Sequence, residues 1–337
     1  MKIFRLLSFF YLLALLGCDN DLNLITDYED IPVVYGLLSV DDPVHYVRVE
    51  RAYLDPQTSA LDLALIPDSI YYSEDVTVRL QKVSTGELFE MDRVNGEDIG
   101  LPRDPGIFAS SPNIIYALDA EDIELEGGDQ VKLIIDRPGL AEASAQTTMV
   151  RPFAKGVNSP PSTTSGSQGL FIFPDETSTW SFQVNQTARV YDVSLLITVE
   201  TSRNGTVTSV DEVEWVIENS YRPDDSDQTV ALITVENNGF YNALAAALDA
   251  ENGVSRRVTG LEYVVTGAGT ALNSFLNITA ANTGITSAQE RPRFTNVEGG
   301  EGVFSSIYRF ELSNNLFLSS GTVNALGENE LTGPLGF

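Results

Sequence analysis

Two side chains that could do chemistry occur once each in this 337-residue chain: Cys18 and His45. A nucleophilic centre of Ser–His–Asp or Cys–His type would need His45 as its base. No G-x-S-x-G elbow is present, and His45 lies in an alternating run, Val44 to Leu54, so it is expected as a strand side chain. Transition metals draw on several His or Cys ligands, and the chain has one of each. The 48 acidic residues could supply a carboxylate pair for glycoside hydrolysis, but their abundance makes any particular pair uninformative. Asp224-Asp225-Ser226-Asp227 and Asp119 to Asp129 are oxygen-rich enough for calcium, yet neither follows the twelve-residue calcium-loop pattern. Gly299-Gly300-Glu301-Gly302 lacks the lysine and the following helix of a phosphate loop. No catalytic residue, metal site or cofactor is assigned, and no enzyme activity is expected.

The chemistry of Cys18 is of another kind. Lys2 and Arg5 precede an apolar run from Leu6 to Gly17, broken only by Ser8. Twelve residues are too few to span a bilayer, which takes roughly 20, so residues 1–17 read as a signal peptide. Leu15-Leu16-Gly17-Cys18 resembles the lipobox of bacterial lipoproteins. That resemblance implies cleavage between Gly17 and Cys18 and a diacylglyceryl group on the thiol, so that lipid on Cys18 is the contact with the membrane. The alternative is an ordinary cleaved signal that happens to end at a cysteine. Residues 18–30 are polar and acidic, and read as a tether. Asp19 and Asp21 loosely resemble the signal that sends some Bacteroidota lipoproteins to the cell surface. A plain solvated linker is the other reading.

Loss of residues 1–17 removes Lys2 and Arg5 and no acid, leaving 18 basic against 48 acidic residues, a formal charge of −30. So much like charge repels nucleic acid and anionic lipid surfaces, and excludes phosphate-backbone binding as a main activity. The acidity serves solubility, cation association or a basic partner. With no cysteine other than Cys18, disulfides are unavailable and a hydrophobic core must hold the fold.

That core is expected to be mostly β. Ile31–Val40 and Val44–Leu54 read as strands, the second with a slip in its alternation near the end. Asp75–Val94 reads as a hairpin turning at Gly86, followed by strands at Ile114–Leu118, Gln130–Asp136 and Ala141–Val150. Roughly seven short strands in residues 31–153 suit an immunoglobulin-like β-sandwich. Residues 154–169, rich in Pro, Ser, Thr and Gly, read as a linker or long loop between two folding units. Residues 170–337 are expected to form a larger β-rich domain with one helix, Asn237–Glu251, capped at Asn252-Gly253. Its strands include Leu170–Phe173, Trp180–Val184, Arg189–Thr201, Thr206–Glu218, Arg257–Gly267 and Ala271–Thr279. Trp180, Phe182, Trp215, Tyr221, Phe240 and Tyr241 lie in this half as core residues or as a platform for sugar or peptide.

A lipobox, a β unit opening with V-V-x-G (Val33 to Gly36) and a second β unit closing with F-x-N-V-x-G-G-x-G-V-F (Phe294 to Phe304) resemble a Bacteroidota outer-membrane lipoprotein family. It is a domain-of-unknown-function group often found near TonB-dependent transporters. The resemblance implies a lipid-anchored outer-membrane location, surface-exposed or periplasm-facing, and an accessory or interaction role beside an outer-membrane protein partner. The alternative role is a surface glycan- or peptide-binding protein. The resemblance carries no site. From the residues themselves, the glycines between Phe294 and Phe304 demand a bend. That bend either closes the second unit's sheet or presents Glu298 and Glu301 as an acidic edge to a basic partner.

Overall fold

The computed structural model describes residues 30–52, 59–154, 156, 169–224, 227–282 and 292–337. Gly17, Cys18 and the tether up to residue 29, most of the linker 154–169, and Asp225 and Ser226 lie outside the described residues.

The first half supplies β1 (Ile31–Leu38), β2 (Val44–Ala52), β3 (Thr77–Lys82), β4 (Glu87–Glu90), β5 (Asp92–Asn95), β6 (Ile114–Asp119), β7 (Gln130–Asp136) and β8 (Ala143–Thr148). Two short helices, α1 (Ala60–Leu63) and α2 (Pro67–Ile70), follow β2, and α3 (Ala120–Ile123) follows β6. β1-β2-β6-β5 lie side by side in one layer and β8-β7-β3-β4 in the other. These are the A-B-E-D and G-F-C-C′ orders of an immunoglobulin fold, so the sandwich matches in topology, with eight strands where the sequence suggests roughly seven. Period-two alternation drives it: Val47 and Val49 of β2 face Val78 and Leu80 of β3 and Val131, Leu133 and Ile135 of β7 within one core. The chain changes layers within one residue. β4 ends at Glu90, buried Met91 fills the core, and β5 starts in the opposite layer.

The second half adds β9 (Thr177–Gln183), β10 (Val190–Arg203), β11 (Thr206–Tyr221), β12 (Val230–Glu236), α4 (Asn238–Ala247), β13 (Val254–Ala268), α5 (Thr270–Asn282), β14 (Val297–Glu298), β15 (Glu301–Leu312) and α6 (Ser320–Glu328). The long β10–β11 hairpin turns at Asn204-Gly205 with φ of 52° and 79°, the paired positive values of a type I′ turn. β15 pairs in parallel with β1. One eight-stranded sheet, β11-β10-β13-β15-β1-β2-β6-β5, therefore runs through both halves. The β9–β12 pair and α4 cover its far end over a second core. There Trp180 meets Trp215 and Tyr263 edge-on, with ring centroids 5.9 and 5.5 Å apart.

The expected boundary at 154–169 falls between these two cores, but the sheet crosses it and the cores exchange residues. Val297 and Phe304 of the second half are buried in the first core. The bend between Phe294 and Phe304 closes the first unit's sandwich, where the sequence suggested the second unit's sheet. β14 pairs with Ser144 and Ala145 of β8, while β15 pairs with β1 in the opposite layer. Gly302 has φ 107°, and a Cβ there would sit 2.0 Å from the Val34 carbonyl oxygen. The Asn296 side chain clasps Phe304, accepting from its N–H at 3.0 Å and donating to its carbonyl at 2.8 Å. Two fully buried serines finish the joint: Ser306 Oγ accepts from Val150 N–H at 2.9 Å, and Ser305 Oγ from Leu272 N–H at 3.2 Å.

Helices are where the structure departs most from the sequence reading. The described residues hold six, not one in the second half alone. Ala271–Thr279, expected as a strand, lies in α5; Leu272, Phe275 and Leu276 fit a helical spacing, which a short apolar run disguises. α6 was not foreseen; its N-cap Ser319 Oγ accepts from Thr322 N–H at 3.1 Å. α4 stops at Ala247, so Gly253 serves the turn into β13 and does not cap the helix. Leu170–Phe173 makes a single bridge, Leu170 to Leu318.

Because β15 completes the first core, residues 30–153 expressed alone are expected to lack a cooperative melt and a near-ultraviolet circular dichroism signal. Adding residues 169–337 should restore both. In the full chain, Phe304→Ala should cost about 3–5 kcal/mol by denaturant titration, a loss a residue belonging only to the second core would not impose on the first.

Candidate binding site

The outer face of β1 and β2 lies at the middle of the long sheet. Tyr35 points outward there and is 48% exposed. In β2 the alternation breaks, because Glu50 is 6% exposed directly after buried Val49. The cause is a cover over the end of β2. Residue 71 bridges Glu50, and Ala109 N–H donates to the Ala64 carbonyl at 2.7 Å, tying the 59–71 and 101–109 segments together. Between cover and sheet lies a hollow of about 490 Å³, with Val33, Ile70 and Phe108 as its apolar lining. Pockets of small ligands run from about 300 to 1,000 Å³.

Arginines dominate the polar part. Arg103 Nη1 donates to Glu50 Oε1 at 2.7 Å and to the Tyr71 hydroxyl at 3.1 Å, and its guanidinium lies 4.9 Å from the centre of the Phe108 ring. Arg48 Nη1 donates to the same Glu50 oxygen at 3.2 Å. Arg51 borders the hollow and an adjoining one of about 200 Å³ that Arg93 and Asp68 also line. The Arg51 guanidinium lies 5.8 Å from the Tyr72 ring centre, and its Nε is buried with no hydrogen-bond partner among the described residues. Burial opposes the charge of Arg103, but Glu50 and Tyr71 more than offset it and raise its pKa. A buried carboxylate shared by two guanidiniums holds both in place. Across the two hollows, four guanidiniums face two carboxylates, Glu50 and Asp68. The sign of the molecule, −28 overall, is inverted here. Oriented guanidiniums beside aromatic and aliphatic side chains are the chemistry that suits an anionic group.

Glu298 is exposed at the end of β14 and Glu301 is half-buried at the start of β15, on either side of the glycine bend. They lie on the strap and do not line the arginine hollow. His45 is 1% exposed, opposite Leu118 of β6, and neither ring nitrogen has a hydrogen-bond partner among the described residues. Of the aromatic residues considered as a platform, Trp180, Phe182, Trp215, Phe240 and Tyr241 are buried and Tyr221 packs against the same core, so they are core side chains. In the acidic stretch before β7, the Asp129 carboxylate accepts from Glu126 N–H at 3.0 Å and pairs with Lys82 at 3.1 Å. Among the described residues no three His, Cys, Asp or Glu side chains gather as metal ligands. A second hollow of about 390 Å³ lies between β8, the start of α5 and Phe294, and no charged side chain lines it.

Tyr35, Arg48, Glu50 and Arg103 escaped the sequence reading. Period two puts Glu50 on the outward face with Arg48, so nothing within β2 marks it for burial; the cover, and the cation a buried glutamate needs, come from segments that read as loop. Arg103 comes from a loop with no period to read. Neither a protein-family model nor any curated protein matches the sequence.

Burial lowers the pKa of His45. The folded protein therefore resists protonation, while the unfolded chain takes up a proton below about pH 6.5. Stability should fall as pH drops below that value, by up to about 1.4 kcal/mol per unit. His45→Leu should flatten the change in melting temperature between pH 7.5 and 5.5 relative to wild type. Equal slopes in the two proteins would mean that His45 is protonated as easily folded as unfolded.

Proposed function

We propose that this protein is a non-catalytic interaction module of a bacterial cell envelope, held at the outer membrane by lipid on Cys18 and acting beside an outer-membrane protein partner such as a TonB-dependent transporter. The observation that carries the reading is the run Leu6 to Gly17 ending at the chain's single cysteine. Two acyl chains make anchoring stable, each buried methylene adding about 0.8 kcal/mol. Two features of the fold agree with it. No helix among the described residues is long and apolar enough to cross a membrane. And Asp30, where the tether meets the fold, is locked down: Arg137, 5% exposed, donates to its carboxylate at 2.9 Å and its carbonyl at 2.7 Å, and the Tyr72 hydroxyl donates to the same carboxylate. A tether fastened this way passes a pull at Cys18 directly into β1. The binding role rests on the arginine hollow, which favours the interaction reading over catalysis. For the alternative, a glycan- or peptide-binding protein, the same hollow is the place to look.

Cys18→Ser is expected to leave the protein unlipidated, in the soluble fraction or retained as precursor, whereas wild type partitions into the detergent phase. A serine variant that matures and partitions like wild type would remove the anchor.

A further inference from the structure

The two segments folded over the arginine hollow carry exposed aliphatic side chains in addition to the residues that line it. Leu61, Leu65 and Ile66 on the 59–71 segment and Leu101 and Ile107 on the 101–109 segment are 42–63% exposed. These are the two segments that supply the cover over the hollow. Isolated exposed aliphatics are common, but five large ones on the two short segments that cover one cavity are a concentration that suits an interaction surface. The hollow itself holds oriented guanidiniums. Glu50 and Tyr71 occupy Nη1 of Arg103 and Glu50 occupies Nη1 of Arg48, while the second Nη of each makes no hydrogen bond among the described residues. Packing on Phe108 and Tyr72 fixes the planes of Arg103 and Arg51. An arginine held on one edge and open on the other is prepared for a carboxylate, at little further entropic cost.

We infer that this face docks a peptide segment of a protein partner, one that seats an acidic side chain between Arg48 and Arg103 and lays large apolar residues against the rim. The local charge selects the acid; the exposed aliphatic side chains of the covering segments favour a peptide, which brings apolar side chains along with its acid, over a sugar acid. This rests on the interaction-module reading and names its partner's chemistry, but it does not depend on the lipid. Anchorage fails or holds with Cys18→Ser, and peptide binding is read on the full chain in detergent.

The test is selection of a random twelve-residue displayed peptide library against the full chain, followed by titration of the recovered sequences as synthetic peptides. Selected peptides should carry Asp or Glu beside Leu, Ile or Phe, and should weaken as salt rises. Arg48→Gln keeps the Arg103–Glu50 pair and so should keep the melting temperature, while weakening binding roughly tenfold or more. Ile107→Ser, at a residue 63% exposed, should weaken it as well without unfolding. Glu-to-Gln versions of the peptides should bind as poorly to wild type as the parents do to Arg48→Gln. No enrichment, enriched peptides without acids, or affinities untouched by Arg48→Gln would each overturn the proposal. So would saturable binding of galacturonate or inorganic phosphate that Arg48→Gln abolishes and the selected peptides fail to displace, since the occupant would then be a small anion.

Discussion

The parallel pairing of β15 with β1 is the contact on which the rest of the structure depends. Without it the long sheet separates into β11-β10-β13-β15 and β1-β2-β6-β5, and the first sandwich has an open edge. A parallel neighbour is slightly weaker per residue than an antiparallel one, and it closes a loop of more than 250 residues, so backbone hydrogen bonds alone are a thin basis for it. Side chains make up the difference. Phe304 is fully buried in the first core, Asn296 locks its backbone from the side, and Ser306 takes the N–H of Val150 where the chain leaves the first core for the second. The glycines are the condition for this closeness. Any side chain at Gly302 would collide with the backbone of Val34, the strand that β15 must touch.

Closing the edge has consequences on the far side of the same strands. Because β1 is flanked on both sides, it is a central strand with one face in the core and the other in solvent, and it cannot pair with a further chain. Recognition at β1 and β2 is therefore left to side chains and to the segments folded over them. The Asp30–Arg137 pair precedes β1, and the Arg48–Glu50–Arg103 group lies on β2 and its cover. Both are buried ion pairs whose worth is positional. Each costs desolvation that hydrogen bonds must offset, and each fixes a segment that has no strand to hold it.

What the sequence disclosed and what it hid follow one rule. Features with a local period or a local turn were legible: the alternating strand around His45, the hairpin turning at Gly86, and the succession of short strands behind the immunoglobulin-like unit. Features that depend on distant partners were not. Nothing near Phe304 says that it belongs to a core built from residues 34–149, and α5 was misread because Leu272, Phe275 and Leu276 sit in a run short enough to suit strand or helix. The same rule governs the site. Glu50 sits where β2's alternation puts it, on the outward face, and what buries it is distant: Arg103 reaches it across 53 positions. The Phe294–Phe304 motif was legible as a bend, while which sheet it closes was not.

The inverted charge of the hollow sets a constraint on how it can be used. An acidic ligand approaching a chain of net charge −28 is repelled at long range and attracted only within about one Debye length, roughly 8 Å at physiological ionic strength. Association from solution is therefore slow, and a short contact with a few guanidiniums and an aliphatic rim gives modest affinity. Under the proposed anchorage both difficulties shrink. Cys18 lies twelve residues before Asp30, a reach of roughly 40 Å when fully extended. A partner in the same membrane would then meet the hollow without approaching through solution. Under that proposal the acidic body disfavours soluble acidic competitors, and shared anchorage favours a partner already in the membrane.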